Sequence, residues 1–210
     1  MDPMGDHASI CKKGFGVVHR HNSVCNAFAR HVLRPAGLAY SLEVPFLLPN
    51  SSRRPADILV QPTPPRPGER ARKPTAYDIT VRSPYIRSNI YEAAQSFAGA
   101  AELADKDKLR KHQQVVRNVQ LANANRLPTE LDWTFVPLAF DTLGAPSART
   151  RAVIEEHAIK IAFRTPATPA TIKLRLQQRL SYVVWSSVAA AAILARMPSQ
   201  DVEASFPLTA

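Results

Sequence analysis

Ala76-Tyr77-Asp78-Ile79-Thr80-Val81-Arg82 alternates without a break: Tyr77, Ile79 and Val81 share one face of an extended chain, and Asp78, Thr80 and Arg82 share the other. The run reads as a half-buried strand that ends at Ser83-Pro84. Upstream, Arg53-Arg54-Pro55-Ala56-Asp57-Ile58-Leu59-Val60 holds a shorter apolar run opened by Asp57. Still earlier, Tyr40, Leu42 and Val44 alternate with Ser41 and Glu43, which predicts a first strand. Two aspartates on successive strands can approach closely enough to share a cation, since residues opposite one another in a ladder are near neighbours. Hard divalent cations such as Mg²⁺, or Mn²⁺ in its place, take oxygen ligands of this kind.

Helical patterns surround these strands. From Asn22, read as an N-cap, Val24, Phe28 and Val32 recur at helical spacing until Pro35 and Gly37 stop the pattern. One long helix is predicted from about residue 86 to residue 123, with Ala94, Ala98, Ala101, Asp105, Lys108 and His112 forming a single stripe that starts apolar and ends ionisable. Trp133, Phe135 and Val136 mark a strand over 131–140, where Pro137 predicts an edge or irregular position. Two helices close the chain, 149–163 and 168–196. The second opens on Thr168 as cap with Pro169 at its first position, and Trp133 and Trp185 are assigned to the core. Between the second and third strands, residues 61–75 contain five prolines and read as a solvated loop. Strands grouped centrally between helices predict an α/β layered domain.

The composition narrows the partner. The 210 residues are 45% hydrophobic, enough for a core without staples, and carry a net charge of +10, which suits a polyanion such as nucleic acid. Two cysteines, Cys11 and Cys25, are too few for a disulfide scaffold and favour a reducing, intracellular setting. The N-terminus lacks the apolar core of a secretory signal, and the most apolar stretch, 182–195, falls short of the roughly 20 residues a membrane span needs, so no membrane partner is expected.

An inward-facing lysine needs a partner, and a carboxylate–metal–phosphate cluster would supply one for Lys108. In metal-assisted phosphodiester hydrolysis carboxylates hold the cation, which acidifies its water, while a lysine orients the nucleophile or neutralises developing charge. The competing reading makes Lys108, Arg110, Lys111 and His112 a solvated basic face. Glu43, on the first strand, is a third candidate ligand, acting through a water. Lys173, Arg175 and Arg179 lie opposite the Ile172, Leu176, Leu180 stripe and are further candidate phosphate contacts.

The order of proline, any residue, Asp57, a spacer and then Asp78-Ile79-Thr80-Val81 resembles the PD-(D/E)XK superfamily, and more closely the restriction-like endonuclease domain at the C-terminal end of site-specific non-LTR retrotransposons. Gly5-Asp6-His7-Ala8 with Cys11, followed by Arg20-His21-Asn22, resembles the zinc-knuckle remnant and following helix of those domains. Lys108-Leu109-Arg110-Lys111-His112 resembles their Lys-x-x-Lys-aromatic signature, in which the catalytic lysine sits on a helix. Thr80, two residues after Asp78, then occupies the place where most of the superfamily keeps its lysine. The chain departs from the pattern in the residue inserted between Pro55 and Asp57, in the long proline-rich spacer and in the absence of the upstream cysteine pair. His7 and Cys11 are left as half a knuckle; with His21 and Cys25 they could supply the four ligands a structural zinc site needs, but Cys25 falls in the predicted helix, where the competing reading packs it as a small hydrophobe.

The resemblance implies a restriction-endonuclease-like core, a central mixed sheet flanked by helices, over residues 38–145. A degenerate knuckle and N-terminal helix would precede it (1–37), and a C-terminal helical extension of the same domain would follow (146–210). It implies a Mg²⁺-dependent DNA endonuclease with Asp57 and Asp78 as metal ligands, Lys108 or Lys111 as the catalytic lysine, and Arg53, Arg54, Arg82, Arg110 and His112 on the DNA. Cleavage would leave a 3′-hydroxyl that primes a reverse transcriptase located on another chain or segment, in the nucleus if the element is eukaryotic. The alternatives are a catalytically inactive DNA-binding module descended from such a nuclease, or a basic interaction protein.

Overall fold

Strands β1 (Tyr40–Leu42), β2 (Ile58–Val60) and β3 (Thr75–Arg82) form an antiparallel meander, and β4 (Thr134–Asp141) joins parallel to β3. The result is a four-stranded mixed sheet of order β1-β2-β3-β4 flanked by helices, an α/β arrangement. The structure is a computed structural model that describes residues 15–45, 56–62, 64, 71–122 and 133–194. The alternation in β3 is realised: Tyr77 and Ile79 are buried on one face together with Ile58, Val60, Leu138 and Phe140. That face packs on the helices α1 (Phe15–Phe28), α4 (Ala148–Ala162) and α5 (Pro169–Leu194). On the other face, Leu59, Ala76 and Trp133 form one cluster with Phe135, and Ala139 meets Ala101 and Ala104 of α3 (Gly99–Ala122). Pro137 lies on β4 at the sheet edge, where a missing N–H breaks no ladder on the outer side, as its type predicts.

Helix α1 starts earlier than the expected cap. Asn22 is exposed in mid-helix, because the chain is already helical at Phe15 and packing against α5 overrides a weak capping preference. At Gly16 the approach to α5 is so close that a Cβ would stand 2.7 Å from the Cβ of Ala191. Val24, Phe28 and Val32 are fully buried, as their spacing predicts. Beyond Phe28 the helix widens into a π-helical turn, Ala29–Leu33, and the chain leaves it through Gly37 at φ +70°.

The single long helix expected over 86–123 is two helices. Short α2 (Ile90–Gln95) stops at Ser96, whose backbone is extended, Ala98 takes φ +62°, and α3 begins at Gly99. Residues 86–98 contain no proline or glycine after Pro84, so only Gly99 marks the break in the sequence. Gly99 is required sterically, since a Cβ there would lie 2.1 Å from the carbonyl oxygen of Glu92. Gly99→Ala is therefore expected to cost about 1–3 kcal/mol of stability through forced backbone movement, read as a lower urea midpoint at unchanged slope; an unchanged midpoint would contradict this packing.

Ser147 caps α4 by accepting the Thr150 N–H at 3.2 Å, and Thr168 caps α5 by accepting the Thr171 N–H at 3.3 Å. Ile154, Ala158 and Ile161 of α4 and Ile172, Leu176 and Leu180 of α5 are buried, as expected. Trp185 is 57% exposed and lies outside the core, because the buried stripe of α5 passes through its neighbour Val184 and on to Ser187. Among the described residues, no helix is long and apolar enough to cross a membrane.

Candidate functional site

The register of β2 and β3 builds the site. Ile58, the first residue of β2, pairs with Tyr77, so Asp57, at the bend just before it, brings its carboxylate beside that of Asp78. The Asp57 backbone N–H donates to the Tyr77 carbonyl at 2.9 Å, one residue off the ladder's register, so the chain bends at Asp57, and the Ile79 N–H donates to Asp57 Oδ2 at 2.6 Å, fixing the carboxylate. Like charges side by side repel one another. The chain tolerates them because each acid meets a cationic or protonatable partner from a different helix.

Lys108 of α3 supplies the first partner. Its Nζ donates to Asp78 Oδ1 at 2.9 Å and lies 2.8 Å from Oδ2. The small side chains of Ala101 and Ala104, packed on Ala139, bring α3 close to the sheet one to two turns before Lys108. The predicted stripe thus holds from Ala101 onward: Asp105 is 5% exposed and receives Arg149 Nε at 3.1 Å, and the His112 ring stacks on Phe135 at 4.0 Å between centroids. Ala94 belongs to the separate helix α2.

His21 of α1 supplies the second partner, its Nε2 lying 3.1 Å from Asp57 Oδ1 and 3.5 Å from the Sγ of Cys25 one turn further on. The hydrogen bond and charge of Asp57, with the charge of Asp78, raise the His21 pKa against the opposing effects of burial and Lys108. Burial pushes the Asp57 carboxyl up, but His21, the Ile79 amide and Lys108 outweigh it and hold the group below its ordinary value. For Asp78 burial wins: with Asp57 adding repulsion, it outweighs Lys108 and lifts the carboxyl to about 6. Two adjacent acids are thereby driven apart in protonation, a pattern concentrated at functional sites.

Glu43 ends β1 at φ +51°, and its backbone N–H donates to the Asp57 carbonyl at 2.7 Å. It lines a pocket of about 210 Å³ with His21, Asn22, Cys25, Asn26, Leu42 and Asp57. Arg82 and Arg110 both bond Asp107, at 2.7 and 3.1 Å, so these two candidate DNA contacts share one carboxylate. Lys111 is exposed on α3, off the line of Lys108. On α5, Lys173 pairs with Glu155 at 2.7 Å, and Arg179 Nη1 lies 3.2 Å from Nδ1 of His31. Arg53, Arg54, His7 and Cys11 lie outside the described residues.

The structure thus brings together Asp57, Asp78, Lys108 and His21, with Glu43 alongside. Sequence reasoning places His21 in a zinc knuckle and misses its contact with Asp57. The signal for a shared role lies in the spacing of His21 and Cys25, four residues apart and hence on one helix face. No family model matches the chain, and no curated protein sequence matches it.

Proposed function

We propose that this chain is a Mg²⁺-dependent DNA endonuclease of the PD-(D/E)XK type, of the kind that makes the target-site cut for a retrotransposon. The observation that carries this reading is the Lys108–Asp78 ion pair beside Asp57, in which a helix lends its lysine to one of two neighbouring acids. The mixed sheet flanked by helices is compatible with a restriction-endonuclease-like core. Thr80 lies on the same strand face as Asp78, where the lysine is absent, and Lys108 reaches that acid from α3 instead.

The donors suit a hard cation: two carboxylates, one held by a backbone amide, whose repulsion adds to burial in lifting Asp78 and would be relieved by a positive ion between them. When bound, such a cation supplies a water of lowered pKa and polarises a phosphoryl oxygen. Asp57 and Asp78 would hold it. Lys108, its ammonium already at Asp78, would orient the attacking water or neutralise charge gathering on the phosphate. Arg82, Arg110 and Lys111, near the same end of α3 and β3, would neutralise neighbouring phosphates and release counterions.

Plasmid nicking tests the reading. Full-length protein with Mg²⁺ or Mn²⁺ is expected to convert supercoiled DNA to the open circle, and Asp57→Ala and Asp78→Ala are each expected to abolish this while retaining DNA affinity. Wild-type rates in either variant would overturn the two-carboxylate site. The inactive DNA-binding module has its own support, since both acids already meet protein partners, His21 and Lys108. Absence of cleavage by the wild type with any divalent metal, with DNA binding intact, would decide for that module.

A further inference from the structure

We infer that His21, Cys25 and Asp57 form a binding site for a borderline-soft divalent cation of the Zn²⁺ class, which shares Asp57 with the paired-carboxylate site but takes its nitrogen and sulfur donors from α1, and which does not depend on whether the chain cuts DNA. Three different donor atoms converge here: imidazole nitrogen, thiol sulfur and carboxylate oxygen, all within 4.8 Å of one another. Tetrahedral zinc with bonds of about 2.0–2.3 Å sets donor atoms at about 3.6 Å between nitrogen and sulfur and about 3.4 Å between nitrogen and oxygen. The distances here are 3.5 Å from His21 Nε2 to Cys25 Sγ and 3.1 Å to Asp57 Oδ1, so the two edges that meet at the imidazole are nearly formed.

The fold fixes this set from two directions. His21 and Cys25 are one turn apart on the side of α1 that also buries Val24 and Phe28, and Asp57 is held at the head of β2 by the Ile79 amide on its other oxygen. A thiolate and an imidazole select Zn²⁺ or Co²⁺ over Mg²⁺, which keeps to oxygen and water. Beyond the three donors lies the pocket of about 210 Å³, with Glu43, Asn22 and Asn26 on its wall, which leaves a fourth position for water or for a ligand. Binding converts the Cys25 thiol to a metal thiolate and releases its proton to solvent, so affinity should rise with pH.

Cobalt spectroscopy on the full-length chain is the test, with Co²⁺ and then Zn²⁺ alone as probes. The wild type is expected to show a thiolate-to-cobalt charge-transfer band and the intense visible bands of tetrahedral Co²⁺, which Zn²⁺ abolishes and millimolar Mg²⁺ does not. Cys25→Ser should remove the charge-transfer band, and Cys11→Ser should keep it. His21→Ala, at a partly exposed position that folding tolerates more readily, should lose tight Co²⁺ binding with the circular dichroism unchanged. The inference is overturned by no charge-transfer band in the wild type, by a band that survives Cys25→Ser and vanishes in Cys11→Ser, or by wild-type affinity in His21→Ala. Plasmid nicking plays no part in these outcomes, so the nuclease reading and this site can fail separately.

Discussion

Lys108→Ala is expected to lower Mg²⁺-dependent nicking by about 10²–10³-fold, the usual effect of removing one preorganised charge from a transition state. Metal binding should survive. The ammonium bonds both oxygens of Asp78 and so competes for the ligand, which means that calorimetric Mg²⁺ affinity should hold or improve in the variant. Lys111→Ala, an exposed position off the Lys108 line, should weaken DNA binding and leave the cleavage step at saturating DNA nearly unchanged. Introducing Thr80→Lys on the Lys108→Ala background should restore part of the activity, because residue 80 shares a strand face with Asp78. Full activity in the Lys108→Ala, Lys111→Ala double variant would end the assignment of catalysis to this helix.

The second large effect is on stability and runs the other way, with Asp78→Asn expected to make the protein more stable at neutral pH. The folded Asp78 carboxyl is lifted from 3.8 to about 6, chiefly by burial. A raised carboxyl stabilises the fold fully when protonated, below about pH 4, and that contribution is lost as pH rises through about 6. A rise of this size corresponds to roughly 3 kcal/mol at pH 7. Asparagine carries no such penalty, and Lys108, about a third exposed, can turn its ammonium to water. Thermal melts should therefore show Asp78→Asn several degrees above wild type at pH 7.5, and level with it near pH 4. Added Mg²⁺ should raise the wild-type midpoint only. A variant equal to or below wild type at pH 7.5 would contradict the electrostatic account. Stability surrendered at a reactive group is a common cost of function.

Much of this arrangement is legible in the chain. Strict alternation around Asp78 gives β3 its two faces, Thr168-Pro169 gives the start of α5, and the stripe through Ala101, Asp105 and Lys108 gives the face of α3 that meets the sheet. Each is a local pattern with one dominant cause. The break at Ser96–Ala98 is hidden because nothing before Gly99 forbids a helix; it is imposed by the approach of α3 to Glu92. The pairing of Asp57 with His21 is hidden for a related reason. It depends on how α1 lies against the head of β2, and that is set by the core around Phe28 and Tyr77, whose rings meet edge-on at 5.5 Å. Trp185 shows the reverse error, since residue type alone assigns a large apolar side chain inward when its helical phase turns it outward.

The parallel pairing of β3 with β4 has a kinetic consequence. The meander β1–β3 can form from neighbouring segments, but β4 cannot dock until the chain from residue 83 to residue 133, which includes α2 and α3, has closed into a crossover. Loop-closure entropy is met before such a contact gives any return, which makes parallel pairing slow. Lys108 rides on that crossover. Until that crossover closes, nothing brings the Lys108 ammonium to Asp78. The approach of the two acids rests on the meander and the contact that brings the lysine rests on the crossover, so the constellation depends on both parts of the topology.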